Sequence, residues 1–202
     1  MSSIILASTS PFRAALLKQL GVVFTAVAPH VEESPLANES PEAMAARLAQ
    51  MKALAVSKTH PQAVVIGSDQ VALCEGRVLG KPEDPAQALA QLQYQRGKTT
   101  EFHTAVCFSR ASEVLFEDFV TTRVRWRAAD ELTDAVLLRY IELDDPLQCA
   151  GAAKSESLGI ALVESIESSD PSALVGLPLI ACQTALTRLG LDPLRSCALP
   201  AK

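Results

Sequence analysis

The sequence has no excess of positive charge, no long apolar run, no paired-cysteine motif and no metal-knuckle spacing, and each absence removes a class of function. A net charge of −5 at pH 7 argues against sequence-independent binding to DNA or RNA, which draws affinity from clustered Lys and Arg on phosphates. Any nucleic-acid-like ligand should therefore be small. The longest apolar stretches, such as Ile4–Ala7 and Ala173–Ala181, are too short or too interrupted to span a bilayer. The start of the chain shows no basic segment followed by a long apolar region and a cleavage signal, so a cytoplasmic protein is expected. Cys74, Cys107, Cys149, Cys182 and Cys197 are an odd number without a C-x-x-C pair, which speaks against a disulfide framework and for buried thiols. His30, His60 and His103 lack the spacing that would hold zinc on one helix face or knuckle.

What is present suits a globular chain. The 202 residues are 49% hydrophobic and 20% charged, enough to bury a substantial core in one domain spanning 1–202, with room for two lobes. Ile4-Ile5-Leu6-Ala7 reads as a strand, and Ser10-Pro11 as the cap and first residue of a helix that Gly21 ends. Val22–Ala28 reads as a second strand. Ser40-Pro41-Glu42 opens the clearest long helix, which runs to about Thr59. Ala63–Ile66 is a continuous apolar run, expected to be a strand buried on both faces and broken by Gly67, with Ser68-Asp69-Gln70 emerging at its end.

Further along, Glu75-Gly76 predicts a short hairpin, and Asp84-Pro85 starts a helix that Gly97 stops. Period-two alternation up to Trp126 predicts strands, with Arg123, Arg125 and Arg127 on one face and Val124 and Trp126 on the other. Asp130–Leu143 has helical spacing. A glycine-punctuated stretch at Cys149–Gly159 precedes a short strand through Val163 and a helix-rich end from Ser172 to Leu189. Mixed strands and helices indicate an α/β fold rather than a bundle or sandwich.

The standard phosphate motifs are missing. Gly76–Pro82 only imitates a P-loop: three residues separate its glycines, and Pro82 stands where the metal-binding Ser or Thr belongs. There is no G-x-G-x-x-G for a dinucleotide. Ser8–Arg13 is more promising, because a helix N-terminus offers N–H groups and a favourable dipole to an anion and Arg13 adds a fixed charge. The same residues also read as an ordinary capped helix. Asp69, placed after a buried strand, could bind metal or orient water, or could be a turn aspartate bonded to nearby N–H groups.

Taken together the short motifs form an ordered set. Leu6–Arg13, Glu32-Glu33-Ser34-Pro35, Leu48–Ala53, Ile66–Gln70, Gly80-Lys81-Pro82, Ala150–Glu156 and Val175–Pro178 resemble the Maf-like nucleotide pyrophosphatases over about residues 4–190. That resemblance implies an elongated mixed β-sheet flanked by helices, as in the inosine-triphosphate pyrophosphatase fold, with a central cleft and a homodimer. It implies cleavage of nucleoside triphosphates between the α and β phosphorus with a divalent cation, Mg²⁺ or Mn²⁺. Carried onto this sequence, it makes Asp69 the catalytic carboxylate, Ser8, Arg13, Glu33, Lys52 and Lys81 the substrate-binding set, and Asp69 with Glu33 the metal holders.

Phe12, Gln70 and Glu156 resemble the 7-methyl-GTP branch of the family rather than the branch acting on dTTP and UTP. An aromatic face can stack on a methylated guanine that carries positive charge, and a carboxylate can accept its N–H donors. By its spacing with Leu16 alone, Phe12 would instead be a helix core residue. Ala153 and Ser157 depart from that branch, which often carries an aromatic and a glycine there. The expected reaction is hydrolysis of 7-methyl-GTP to 7-methyl-GMP and diphosphate. Its rivals are a dTTP/UTP or other noncanonical nucleotide pyrophosphatase, and a non-catalytic nucleotide-binding regulator of septum formation.

Overall fold

The computed structural model describes residues 3–195. Its elements are β1 (Ile4–Leu6), α1 (Pro11–Gln19), β2 (Phe24–Ala26), α2 (Pro41–Thr59), β3 (Val64–Cys74), β4 (Arg77–Leu79), α3 (Pro85–Gln95), β5 (Thr99–Arg110), β6 (Glu113–Trp126), α4 (Asp134–Asp144), β7 (Val163–Glu167) and α5 (Leu179–Arg188), with short 3₁₀ turns between α4 and β7 and before α5. The strands make one mixed seven-stranded sheet in the order β2-β1-β3-β5-β6-β7, with β4 also paired to β3.

Local chemistry sets the helix starts. Ser10, Ser40, Asp84 and Thr133 each accept a first-turn backbone N–H of α1, α2, α3 and α4, and proline follows directly in the first three. Such a cap stabilises a helix by about 1 kcal/mol. Asp130–Leu143 therefore does not begin as a helix where its spacing suggests. Leu132 is buried in the preceding turn, and Thr133 fixes the first residue as Asp134. Glu75 and Gly76 both take positive φ in the two-residue turn joining β3 to β4, the backbone a tight hairpin requires.

The larger correction concerns Gly67. It does not end a strand; β3 runs through it for eleven residues, so Asp69 sits mid-strand opposite Ala105 of β5 rather than beyond a strand terminus. The glycine is there for α2. Ala45, Ala49 and Ala53 repeat every four residues along the helix face that covers Val71, Ala105 and Cys107. A Cβ on Gly67 would lie 2.6 Å from the Ala53 nitrogen and collide with the Ala49 carbonyl oxygen. Small residues on both surfaces thus let the α2 backbone approach β3 closely at Gly67. The strand expected through Val163 likewise begins there, and the Val22–Ala28 strand is confined to Phe24–Ala26.

The opposite face of the sheet carries two separate hydrophobic clusters. One gathers Leu6, Leu16, Leu17, Ile66, Phe108 and the α5 residues Cys182 and Leu186; the other gathers Cys74, Leu92, Phe102, Trp126, Leu137 and Tyr140. Between them lies a polar row on β3 and β5. Ser68 Oγ donates to the Ala105 and Gly176 carbonyls, Gln70 Nε2 donates to Thr104 Oγ1 and to the Ala173 and Leu174 carbonyls, and Thr104 Oγ1 donates to Ala173 O. This row straps residues 171–176 across the middle of the sheet.

The sheet also has a window. On the side of β3 away from β5, β1 stays paired only as far as Leu6 opposite Ile66, and β4 begins pairing only at Leu79 opposite Ala72. Among the described residues no strand covers that edge of β3 from Gly67 to Val71.

Candidate active site

The window decides which residues meet. Because β1 runs parallel to β3, the chain leaving it delivers Ser8 through Arg13 to one side of the gap. Because β4 runs antiparallel, the chain leaving it delivers Gly80 and Lys81 to the other side. The resulting cavity has a volume of about 750 Å³, within the usual range for small-molecule sites. Ser8, Phe12, Arg13, Glu33, Lys52, Asp69, Gln70, Lys81 and Glu156 all line it. Residues spread over most of the sequence are thereby brought around one space.

At its floor Lys52 Nζ lies 2.6 Å from Asp69 Oδ1 and 2.9 Å from Glu33 Oε1. The Lys52 and Asp69 side chains are only 6% and 10% exposed, whereas Glu33, on the β2–α2 loop, is 56% exposed. A lysine is rarely buried without a partner, and this one stands in the apolar face of α2 between Leu48, Ala49, Ala53 and Val56. The close approach permitted by Gly67 is what lets its stem reach a carboxylate on β3. Of the two adjacent glutamates, Glu33 reaches the lysine. Glu32 Oε1 instead accepts from the Ser34 N–H and hydroxyl.

Arg13 is fixed from behind. Its Nε donates to Gly176 O at 2.8 Å and its Nη1 approaches Ser8 Oγ at 3.5 Å. Gly176 takes φ 111°, backbone that a side-chain-bearing residue rarely adopts, so this carbonyl is presented by a glycine-dependent turn. Burial pushes the guanidinium pKa down, and the charges of Asp69 and Glu33 pull it back up. Arginine remains charged at physiological pH. At the start of α1, Ser8 Oγ accepts the Ser10 N–H, Ser10 Oγ accepts that of Arg13, and Pro11 has none. The Phe12 N–H is the donor that neither serine takes.

Phe12 departs from its helix-core reading. Leu16 and Leu17 of α1 are buried in the first cluster, while Phe12 is half-buried in the cavity wall. Gln70 uses its amide nitrogen on the strap, so it offers a ligand its carbonyl oxygen. Glu156 is exposed at the cavity rim. Lys81 is exposed on the loop after β4. Burial pushes the Cys149 thiol in the cavity wall up to about 11, with Glu156 adding to it, so it is protonated at neutral pH and a poor nucleophile. Cys197 lies outside the described residues.

Two residues that the sequence did not single out belong to this neighbourhood. Lys154 lines the cavity, and its ammonium donates to the Asp144 carbonyl at the end of α4. Glu156, two residues further on, is the position in that motif that the branch resemblance marks. Arg47 of α2 binds the loop that carries Glu33. Its partners on that loop, Glu39 and Ser34, lie eight and thirteen residues away, outside the i,i+4 spacing that sequence reading detects. Among the described residues, no group of three or more His, Cys, Asp or Glu side chains is placed to hold a metal ion, and no helix is long and apolar enough to cross a membrane.

The sequence profile of a family described as "Maf-like protein" matches residues 3–189. The chain is 45% identical over 193 residues to a 7-methyl-GTP pyrophosphatase of Bordetella avium, covering 96% of each. It is 50% identical over 192 residues to the 7-methyl-GTP pyrophosphatase of Aromatoleum aromaticum, covering 94% of this chain and 97% of that one. The same name is carried by a Cupriavidus pinatubonensis protein, 48% identical over 189 residues and 93% of each chain. Among solved structures, a HAM1 protein from Coxiella burnetii aligns with a TM-score of 0.41 at 14% identity, over 62% of this chain and 73% of that one.

Proposed function

Because this chain belongs to the Maf-like family, we propose that it hydrolyses 7-methyl-GTP to 7-methyl-GMP and diphosphate. Cleavage of a phosphorus-containing anhydride is the activity in the names of its relatives, and their identity to this chain extends over nearly its whole length. The observation that carries the reading is the Lys52 ammonium held between Asp69 and Glu33 in a cavity also lined by Arg13 and Lys81. Arg13, Lys52 and Lys81 beside the Asp69 and Glu33 carboxylates suit a chain of phosphates that must be bound, neutralised and hydrolysed at one point.

In this reading Arg13, Lys52 and Lys81 hold the phosphate oxygens, with Ser8 and the Phe12 N–H at the mouth of α1 adding hydrogen bonds. Glu33 and Asp69 both reach one cationic point, so their positions fit a divalent ion such as Mg²⁺ or Mn²⁺, which binds oxygen ligands and fills its shell with water and substrate. When bound, such an ion neutralises charge on the phosphate oxygens. Asp69 presents Oδ1 to Lys52, and its second oxygen orients the attacking water and takes its proton. Phe12 stacks on the cationic methylguanine, and Glu156 and the Gln70 carbonyl accept its N–H donors. The chain acts as a single domain, the two hydrophobic clusters on the sheet face opposite α2 flanking the polar row that carries Gln70, and the resemblance implies a homodimer that sedimentation would reveal.

The test is to incubate the pure protein with Mg²⁺ and a panel of triphosphates and to quantify monophosphate and pyrophosphate. Preference for 7-methyl-GTP is expected, with activity abolished in Asp69→Asn. Preference for dTTP or UTP would overturn the base assignment, binding without products would overturn the catalytic one, and near-normal turnover by Asp69→Asn would remove Asp69 from the mechanism.

A further inference from the structure

Of the three charges that meet at Lys52, Glu33 is the exposed one, and it lies on a loop without regular structure. Two contacts from α2 restrain that loop, one at the side chain and one at the backbone. The first is the Lys52 ion pair with Glu33 itself. The second is Arg47, whose Nε and Nη2 grip Glu39 Oε1 and Oε2 at 2.5 and 2.7 Å while Nη2 also donates to the Ser34 carbonyl at 3.1 Å, one residue from Glu33. Nη1 is engaged as well, at 3.3 Å from Met51 Sδ. Glu39 in turn accepts the Leu36 N–H, closing the turn between Ser34 and the start of α2.

The geometry points to Arg47 as a positioning residue that holds Glu33 at the cavity when Lys52 turns to the substrate, an inference that rests on the proposed roles of Glu33 and Lys52. A phosphate chain competes with Glu33 for the Lys52 ammonium, because both are anions and the ammonium is one point charge. Once that pair loosens, the loop is tied to α2 through the Arg47 fork. Both tethers spring from one helix, and that helix is set against β3 at Gly67, so Glu33 keeps its register with Asp69 while its ion pair is exchanged. Only a planar fork can grip a carboxylate with two nitrogens and still reach a carbonyl; an ammonium at this position cannot.

Arg47→Lys keeps the charge and removes the fork. Its kcat/KM for 7-methyl-GTP is expected to fall about 10- to 100-fold, as for other residues that orient a ligand through a second group. In a Glu33→Gln background the same substitution is expected to have no further effect, since the group it positions is already gone. Glu39→Gln, which opens the fork from the loop side and leaves α2 intact, should behave alike. Hydrogen exchange of the protein without substrate supplies the second readout: the Ser34 and Leu36 amides should exchange faster in both variants while α2 stays protected.

Full multiplication of the two losses in the double variant, or unchanged exchange at Ser34 and Leu36, would overturn the proposal. If the wild-type protein hydrolyses no triphosphate, the reading of function fails, and the exchange rates still decide whether Arg47 holds the loop.

Discussion

Gly67 of β3 and Ala49 of α2 face each other so closely that the glycine's missing Cβ is the space the helix occupies. The contact is with backbone atoms, which cannot swing aside as the end of a side chain could. Gly67→Ala should therefore push α2 outward, destabilising the fold by about 3 kcal/mol, at the upper end for an overpacked core. It should also draw Lys52 away from Asp69. Urea unfolding reads the first effect and pyrophosphate release the second. A variant of wild-type stability and activity would show that the helix can shift freely.

Lys52→Met replaces the ammonium with a side chain of similar length. Asp69 would then be buried without its closest charge partner, a loss worth about 3 kcal/mol when one member of a buried pair is removed. Arg13 lies near enough to soften that loss. The expected outcome is a stability decrease of that order, with turnover lost as well. A stability change within 0.5 kcal/mol, about the size of an ordinary surface substitution, would mean that the pair contributes little to the fold.

Phe12→Ala separates binding from folding. Since Leu16 and Leu17 rather than Phe12 enter the core beneath α1, the change should alter stability by less than about 1 kcal/mol. Loss of an aromatic platform should raise KM for 7-methyl-GTP about tenfold or more, because stacking on a base is worth about 1–3 kcal/mol. Thermal unfolding and steady-state kinetics on the same preparation measure both. A large fall in melting temperature with unchanged KM would return Phe12 to the core.

The Glu33 loop should loosen in acid. The Arg47 hydrogen bonds hold the Glu39 carboxyl well below its usual 4.5, at about 2. A depressed carboxylate stabilises the folded state fully above its unfolded value, and that contribution is lost as pH falls through the folded one. The tie between Glu39 and Arg47 should thus be complete above about pH 4.5 and fade towards pH 2. A carbon-13 titration of the Glu39 carboxyl should give a midpoint near 2, moved up to the ordinary range by Arg47→Met. An ordinary midpoint in the wild-type protein would mean the fork does not form.

Helix starts were legible because their causes are local: a capping serine or aspartate followed by proline acts within one turn, as at Ser10, Ser40 and Asp84. Gly67 was not, since a glycine after an apolar run reads as a stop unless the opposing helix is known. The reach of the α/β fold and the family resemblance put Asp69, Lys52 and Glu33 into one proposal, yet no spacing along the chain says that one ammonium would meet both carboxylates. That meeting depends on the helix-to-sheet distance. Phe12 was ambiguous for a related reason: periodicity says which residues share a helix face, but not where the core beneath that face ends.

The gap along β3 has a consequence for how such a site can change. Its opening is framed by the ends of two short strands, β1 and β4, rather than by loops alone. One more residue pair on either strand would narrow the aperture by a strand repeat, about 3.3 Å, and one fewer would widen it by as much. Ligand size could then be retuned by lengthening or trimming hydrogen-bonded ladder while Asp69, anchored in the uninterrupted middle of β3, stays where it is.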